Sequence, residues 1–547
     1  MWARHPVPRI AALPASAHPR IQAALTERIA EQLNRRSFRM AARLGTVPVR
    51  AEDLSADGHF LAVRGKWLLS GAAGKRMRNR HLWAREPEDV EPEVRASMQR
   101  VQAADPPPPP VAGGDASGLD LVIDARNGTN FFHVLTETLG QLELASAPGF
   151  DGAVHVHVKK PEVAGFVRPW IAALYPELAG RVDFRSGRHH YPRALTGLGA
   201  RHWYFMSGPA TMEGLDALGA NADRWRGRGD AGRQNVDLLE MNSCEDAHLA
   251  LRARAGALLE GQGDAWDHLP RRFLLARRDD PDRPARHRPI AGEAALWEEL
   301  RALGFERLIF EDLPPAGQIA AMARAEVMVG AHGAGFANLL FAGRDTHCIE
   351  LGNLQTALTR WQDFLPLAIA SGCRYTSVFA DADIPDPARA DALWRSKALP
   401  PVRLEAEGRE ALLAFVDTLI GRARARPIEH MRREAEALSR LEDHAALARL
   451  LDANSGAEAA DPDLAIARAN ACKAAGDATG EEAALDRAWA MTGDRPFLLE
   501  RLILCRAAQP AEAAALVDLH RARWPNRARA LRRRLAAARA PAGHQEL

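Results

Sequence analysis

From Leu119 onward, short apolar runs alternate with segments of helical length, and this alternation limits the fold more than any other feature. Leu119–Asp124 (LDLVID), Val154–Val158 (VHVHV) and Val182–Arg185 read as buried strands, with Trp203–Met206 as a further strand candidate. Phe131–Ala147 and Phe166–Leu174 have helical spacing, Pro169 being tolerable only in a first turn. Residues 211–262 are polar and helical, with Gly and Asp breaks. A second block begins near Arg271. It has strand candidates at Phe273–Arg277, Phe305–Phe310, Val327–Gly330 and His347–Leu351, and helices at Glu293–Leu303, Pro315–Arg324 and Phe336–Phe341. Strands separated by helices imply a parallel sheet covered on both faces. Two blocks in tandem imply two Rossmann-like domains facing a cleft.

Beyond residue 428 the strands stop. His430–Ala540 is rich in Ala, Leu and Arg and reads as consecutive helices, in segments near the 34-residue tetratricopeptide period. Gly476, Ala483 and Ala490 stand where a helix pair needs small residues. A plain helical bundle is the competing reading. Before residue 119, Ile21–Leu33 has helical spacing and Phe60–Leu69 can hold a strand. Arg76–Arg85 is a basic stretch, read as solvated surface, and Pro106–Pro110 is a polyproline linker or an extended loop. The division is therefore 1–118, an N-terminal region and linker; 119–265, a first Rossmann-like domain; 266–427, a second; and 428–547, a helical appendage. The first region either completes the first domain or covers it.

Composition excludes several classes. The 547 residues are 47% apolar and 26% charged, an ordinary globular balance. There are 72 basic and 70 acidic residues, so no global field draws the chain to nucleic acid. The five cysteines are scattered and form no CxxC, which favours a reducing cytoplasm over a disulfide framework or a cysteine-based zinc site. The N-terminus has no apolar core of a signal peptide, and no run approaches 18 apolar residues, so a membrane span is not expected.

The most informative stretch is Val327–Asn338 (VMVGAHGAGFAN), a strand ending in a glycine-rich turn with a helix directly after it. Gly330, Gly333 and Gly335 allow a sharp turn and close approach of a ligand. The helix start, at Ala334, offers free N–H groups to a phosphate. His332 is placed to donate to a phosphate oxygen, and Asn338 to hold the loop. A turn that serves packing alone is the alternative.

Glu350, about twenty residues beyond Gly330, sits where dinucleotide-binding folds place a ribose-binding carboxylate. The glycines, however, read GxxGxG rather than GxGxxG. Arg277 and Arg278 follow a strand end and are placed to grip a diphosphate. The remaining arginines of Ala276–Arg288 and the Asp279-Asp280 pair read as a charged loop. In the first block, Asn127–Glu137 (NGTNFFHVLTE) puts His133 and Glu137 at i and i+4, on one helix face and a single turn apart. They suit a base and its orienter, or half of a metal site with no third ligand indicated. Thr129 or Asn130 is placed to cap that helix.

These segments, in this order, resemble glycosyltransferase family 61. The resemblance rests on GAHGAGFANLLF, CIEL, the strand ending in ARRD, and NFFHVLTE, and covers roughly residues 120–380. It implies a GT-B pair of Rossmann-like domains, inversion at the anomeric carbon and no essential metal or cofactor beyond the nucleotide-sugar co-substrate. His332, Gly333, Ala334 and Gly335 would lie at the diphosphate, Arg277 and Arg278 would neutralise the departing nucleotide, and Glu350 would face the ribose. His133 and Glu137 would face the acceptor, with His133 the base, Glu137 its orienter and Asp124 in reserve. Val134 departs from the aromatic that many relatives carry after the His, which bears on the acceptor pocket.

The expectation is a cytoplasmic, metal-independent glycosyltransferase building a surface polysaccharide or lipopolysaccharide precursor. A lipid-linked acceptor would bring it to the inner membrane as a peripheral protein. The helical tail would grip an acceptor, a protein partner or a second copy. Two alternatives stand beside it: an NAD-linked oxidoreductase using Glu350, and a catalytically inactive scaffold acting through its tail.

Overall fold

A computed structural model describes residues 2–35, 41–70, 111–125, 127–160, 162–199, 203–204, 242–278, 290–361, 363–388 and 400–539. The Arg76–Arg85 stretch, Pro106–Pro110 and Asp279-Asp280 lie outside the described residues. The chain forms two compact units, one of residues 1–9 and 23–403, the other of residues 10–22 and 404–547.

The larger unit holds two main sheets. In the first, the strands run Val182–Arg185, Val154–Val158, Leu121–Ala125, Arg188–Gly199, Thr46–Asp57, Phe60–Val63, Lys66–Leu69 and Trp203–Tyr204. The first four are mutually parallel, as the alternation predicts. The rest depart from that expectation. Thr46–Asp57 runs antiparallel to Arg188–Gly199 over almost their full lengths, so the sheet is mixed. Phe60–Leu69 is two strands rather than one, because Arg64 and Gly65 both take positive φ and close a two-residue hairpin. N-terminal residues thus supply strands to this sheet.

In the second sheet the order is Ile290–Ala291, Val402–Arg403, Arg374–Ala382, His347–Asn353, Val327–Ala331, Arg272–Ala276 and Glu306–Ile309. The run from Arg374–Ala382 to Glu306–Ile309 is wholly parallel. Residues 327–330 and 347–353 are buried throughout, the mark of a sheet covered on both faces.

The helix Asp246–Glu260 packs against elements that follow both sheets. Arg252 donates to the carbonyls of Leu340 and Ala342, in the second block. Two residues on, Arg254 pairs with Glu143 and Glu177, both at 2.8 Å, and lies over the Tyr175 ring, in the first. One helix thereby ties the two blocks of this unit together.

In the smaller unit, helices start at Ile428, Pro462 and Pro496, 34 residues apart, each followed by a partner helix. Asp443, Asp461 and Asp477 cap helix starts, and Gly476 and Gly493 end helices with positive φ. The expected small contacts at Ala483 and Ala490 are not made, for both are exposed. Ala484 and Ala488 share a buried cluster with Ala465 and Ala469 instead. The tight spot is Gly480, where a Cβ would lie 2.8 Å from Cys472 Sγ.

Candidate active site

The glycine-rich turn lies at the carboxyl end of the Val327–Ala331 strand, between two parallel neighbours. Gly330 is needed for packing: a Cβ there would lie 3.0 Å from Leu275 Cβ and 3.3 Å from the Phe336 ring. Gly333 is needed for a different reason. Its φ is extended, but a Cβ would fall 1.3 Å from Nη2 of Arg277. Gly335 meets only an ordinary contact at 3.6 Å. Ala334 opens a 3-10 helix that runs to Phe341. Asn338 donates to the Gly335 carbonyl at 3.2 Å and to Gln318 at 3.1 Å, so it braces the turn from within.

Arg277 Nη2 also donates to the His332 carbonyl at 3.3 Å. Burial lowers the proton affinity of this guanidinium, and the charge of Glu311 opposes that shift. Arg278 goes elsewhere: it is exposed and paired with Asp312. The structure therefore brings Arg277 to the turn and not Arg278.

Glu350 is fully buried beneath His332 rather than open to a ribose. Its Oε1 accepts from His332 Nδ1 at 2.5 Å, and its Oε2 accepts from the Tyr375 hydroxyl and from Ser377 Oγ at 3.4 Å. The register explains the arrangement, since Glu350 lies opposite Gly330 on one side and Ser377 on the other. With Nδ1 engaged by Glu350, the outer ring nitrogen of His332 is the one left to meet a ligand. His332 also lines a small, open recess together with Leu351, Asn353 and Pro400.

On the first sheet, Asn127 turns the chain by accepting from the backbone and hydroxyl of Thr129. Asn130, not Thr129, caps the helix. After one turn the helix widens into a π turn over Val134–Thr138, a distortion that recurs at functional sites. His133 Nδ1 and Glu137 Oε1 are 2.9 Å apart, and both side chains are part-exposed. Val134 is buried in the core, so it does not line an acceptor pocket.

Asp124 is buried and accepts from Ser70 Oγ at 2.6 Å. Burial pushes its carboxyl up to about 6, the Glu137 charge adds to the rise, and the Ser70 hydrogen bond opposes it. Gln141 Nε2 donates to the carbonyls of both Asp124 and Glu137, at 2.7 Å each.

Phe364 joins the two halves of the site. Its ring centroid lies 5.2 Å from His332, 5.5 Å from Phe336 and 5.5 Å from Phe132, the neighbour of His133. The His332–Glu350 pair thus lies against this ring, and the His133–Glu137 pair is linked to it through Phe132. Among the described residues no three His, Cys, Asp or Glu side chains come together as metal ligands.

Residues 131–349 match the family model described as Glycosyltransferase 61. This stretch is similar to the family 61 glycosyltransferases. A comparison with curated proteins gives no significant match. The family 61 match contains His133, Glu137, Arg277 and the whole glycine turn, and it ends one residue before Glu350.

Tyr375, Ser377, Phe364 and Gln318 escape a sequence reading of this site. Tyr375 and Ser377 carry a faint signal: two hydroxyl side chains at i and i+2 of a buried strand must share a polar partner on one face. Phe364 carries none.

Proposed function

We propose that this chain is an inverting, metal-independent glycosyltransferase. It moves a sugar from a nucleoside diphosphate to a hydroxyl of a surface-polysaccharide or lipopolysaccharide precursor. The observation that carries the proposal is the convergence of Arg277 and His332 on the Gly333 turn, with the His133–Glu137 pair across Phe364.

The chemistry follows from those groups. An acceptor hydroxyl attacks the anomeric carbon while the bond to the diphosphate breaks on the opposite face. His133 takes the hydroxyl proton on Nε2, since Glu137 holds its Nδ1. Glu137 keeps the ring oriented and stabilises the imidazolium that forms. The charge leaving with the diphosphate is met by Arg277 and the N–H groups of Ala334 and Gly335. Asn338 keeps those N–H groups in place. A divalent metal is not required by this scheme, because a desolvated guanidinium does the same electrostatic work.

A second assignment exchanges the two histidines, and the Glu350–His332 bond favours it, since it leaves His332 Nε2 equally set to accept a proton. The two are separated by His133→Ala and His332→Ala. The variant lacking the base loses turnover but keeps donor affinity; the variant lacking the donor contact loses affinity.

The reading further takes the two sheets as a GT-B pair, the helical tail as tetratricopeptide-like, and residues 119–265 and 266–427 as acceptor-side and donor-side domains. It takes the site of action as the cytoplasmic face of the inner membrane. The oxidoreductase alternative loses its support, because it needs Glu350 on ribose hydroxyls. Calorimetric titration with UDP, GDP, CDP, CMP and NAD, with and without EDTA, tests the whole. Tight binding of one nucleoside diphosphate, insensitive to EDTA, is expected. Binding of NAD alone, or a requirement for metal, overturns it, and a folded protein that binds no nucleotide points to the scaffold.

A further inference from the structure

Among the described residues the large hydrophobic side chains that stand well exposed are Val7, Met491 and Phe497. Met491 and Phe497 flank one connection of the helical unit, between Ala478–Thr492 and Pro496–Cys505. A second connection lies against the first. Arg523, at the end of Pro510–Arg523, donates to the Gly493 carbonyl, and Trp524 packs edge-on against Trp489 with centroids 6.4 Å apart. Both indoles are part-exposed, and neither has a hydrogen bond among the described residues. This end of the unit therefore presents apolar tips beside two part-exposed indoles.

The last connection and the helix after it are basic. Residues 520–539 contain eight Arg and no Asp or Glu. Arg527 and Arg534 pair with Glu500, and Arg521 with Asp518. Arg529, Arg532 and Arg533, on the first two turns of Ala528–Arg539, are exposed and have no partner among the described residues. Asp494 is the one acidic residue between Gly493 and Pro496, and Arg495 beside it pairs with Asp463.

We infer that this end of the helical unit docks on an anionic lipid bilayer. Met491 and Phe497 enter the acyl boundary, Trp489 and Trp524 sit at headgroup level, and Arg529, Arg532 and Arg533 meet lipid phosphates. The chemistry selects a bilayer over a protein. Two apolar tips fall far short of the roughly 1,200 Å² that a stable protein interface buries. Apolar tips, boundary indoles and unpaired arginines are the combination an interfacial binder needs. The inference stands independently of the transferase reading, since it uses no residue of the candidate site.

Co-sedimentation of the full chain with vesicles tests it, using phosphatidylcholine alone and phosphatidylcholine mixed with phosphatidylglycerol. Binding to the mixed vesicles only is expected. Met491→Ser with Phe497→Ser weakens it by roughly tenfold. Arg529→Gln, Arg532→Gln and Arg533→Gln together weaken it by roughly a hundredfold. Circular dichroism should be unchanged, because all five side chains are exposed. Three results overturn the inference: no binding to anionic vesicles, binding that both variants retain in full, or a Phe497→Ser effect confined to self-association in light scattering.

Discussion

The guanidinium of Arg277 occupies the space where a side chain of Gly333 would begin, with Nη2 only 1.3 Å from the ideal Cβ position. The glycine is not there for backbone freedom, since its φ of 173° is open to any residue. It is there to let a cation lie flat against the turn.

Gly333→Ala should therefore fold normally and bind its donor poorly. The obstructed group is the flexible end of an arginine, which can move aside, so the melting temperature should hold. Moving the guanidinium should raise the donor Kd by roughly 10–100-fold, the scale of a lost charge-assisted contact. Arg277→Ala should give the same loss, whereas Arg278→Ala should leave donor affinity unchanged, because Arg278 is committed to Asp312. Calorimetry on the three variants checks this.

His133→Ala should lower kcat by about 10²–10⁴-fold, the usual worth of a general base, while donor Kd stays put. Glu137→Gln should lower kcat by less, because the ring keeps a hydrogen-bond partner but loses the charge that steadies the imidazolium. Single-turnover rates with saturating donor separate the chemical step from binding.

The Glu350 network should matter to stability as well as to the site. Glu350→Ala leaves His332, Tyr375 and Ser377 facing a buried void and should cost about 3–5 kcal/mol. Tyr375→Phe removes one donor and should cost about 1–2 kcal/mol. Urea unfolding measures both. A disproportionate loss of donor binding in Tyr375→Phe would mean that it also contacts ligand.

Two buried groups on adjacent strands should bend the pH–stability curve in opposite directions. Asp124 and His157 are register partners. The Asp124 carboxyl is raised from 3.8 to about 6, chiefly by burial. The folded state then holds the extra proton between those values, so stability falls as pH rises through that window, by up to ~3 kcal/mol, and is level above it. His157 is lowered from 6.5 to about 3, again chiefly by burial. Here the unfolded state holds the extra proton, so stability falls as pH drops from 6.5 towards 3, by up to ~5 kcal/mol. Asp124→Asn should remove the first slope and His157→Phe the second, in denaturant titrations from pH 4 to 7.

Much of the site is legible in the amino-acid sequence because it is local. A helical i, i+4 spacing brings His133 to Glu137 whatever the rest of the chain does. The strand–turn–helix at Val327–Phe341 is written in consecutive residues, and Pro315–Arg324 forms with the bounds its proline and its apolar spacing predict. Arg277 and Arg278 look equivalent in sequence because both follow a strand end. Which of them turns inward depends on Gly333, 56 positions after Arg277, and on Asp312, which holds the other. Thr46–Asp57 is unreadable as a sheet partner because its antiparallel mate begins at Arg188.

Periodicity, turn chemistry and composition determined the alternating strands and helices, the helical tail and the glycine turn. Each is a property of neighbours in sequence, where backbone geometry and hydrophobic spacing act directly. Tertiary structure alone decided that Glu350 lies buried under His332, that Tyr375 and Ser377 hold it, and that Phe364 packs against both His332 and Phe132. Those relations depend on strand register and on the packing of distant rings. Register is set by burial across the whole sheet, so one step along a strand turns a buried carboxylate into an exposed one.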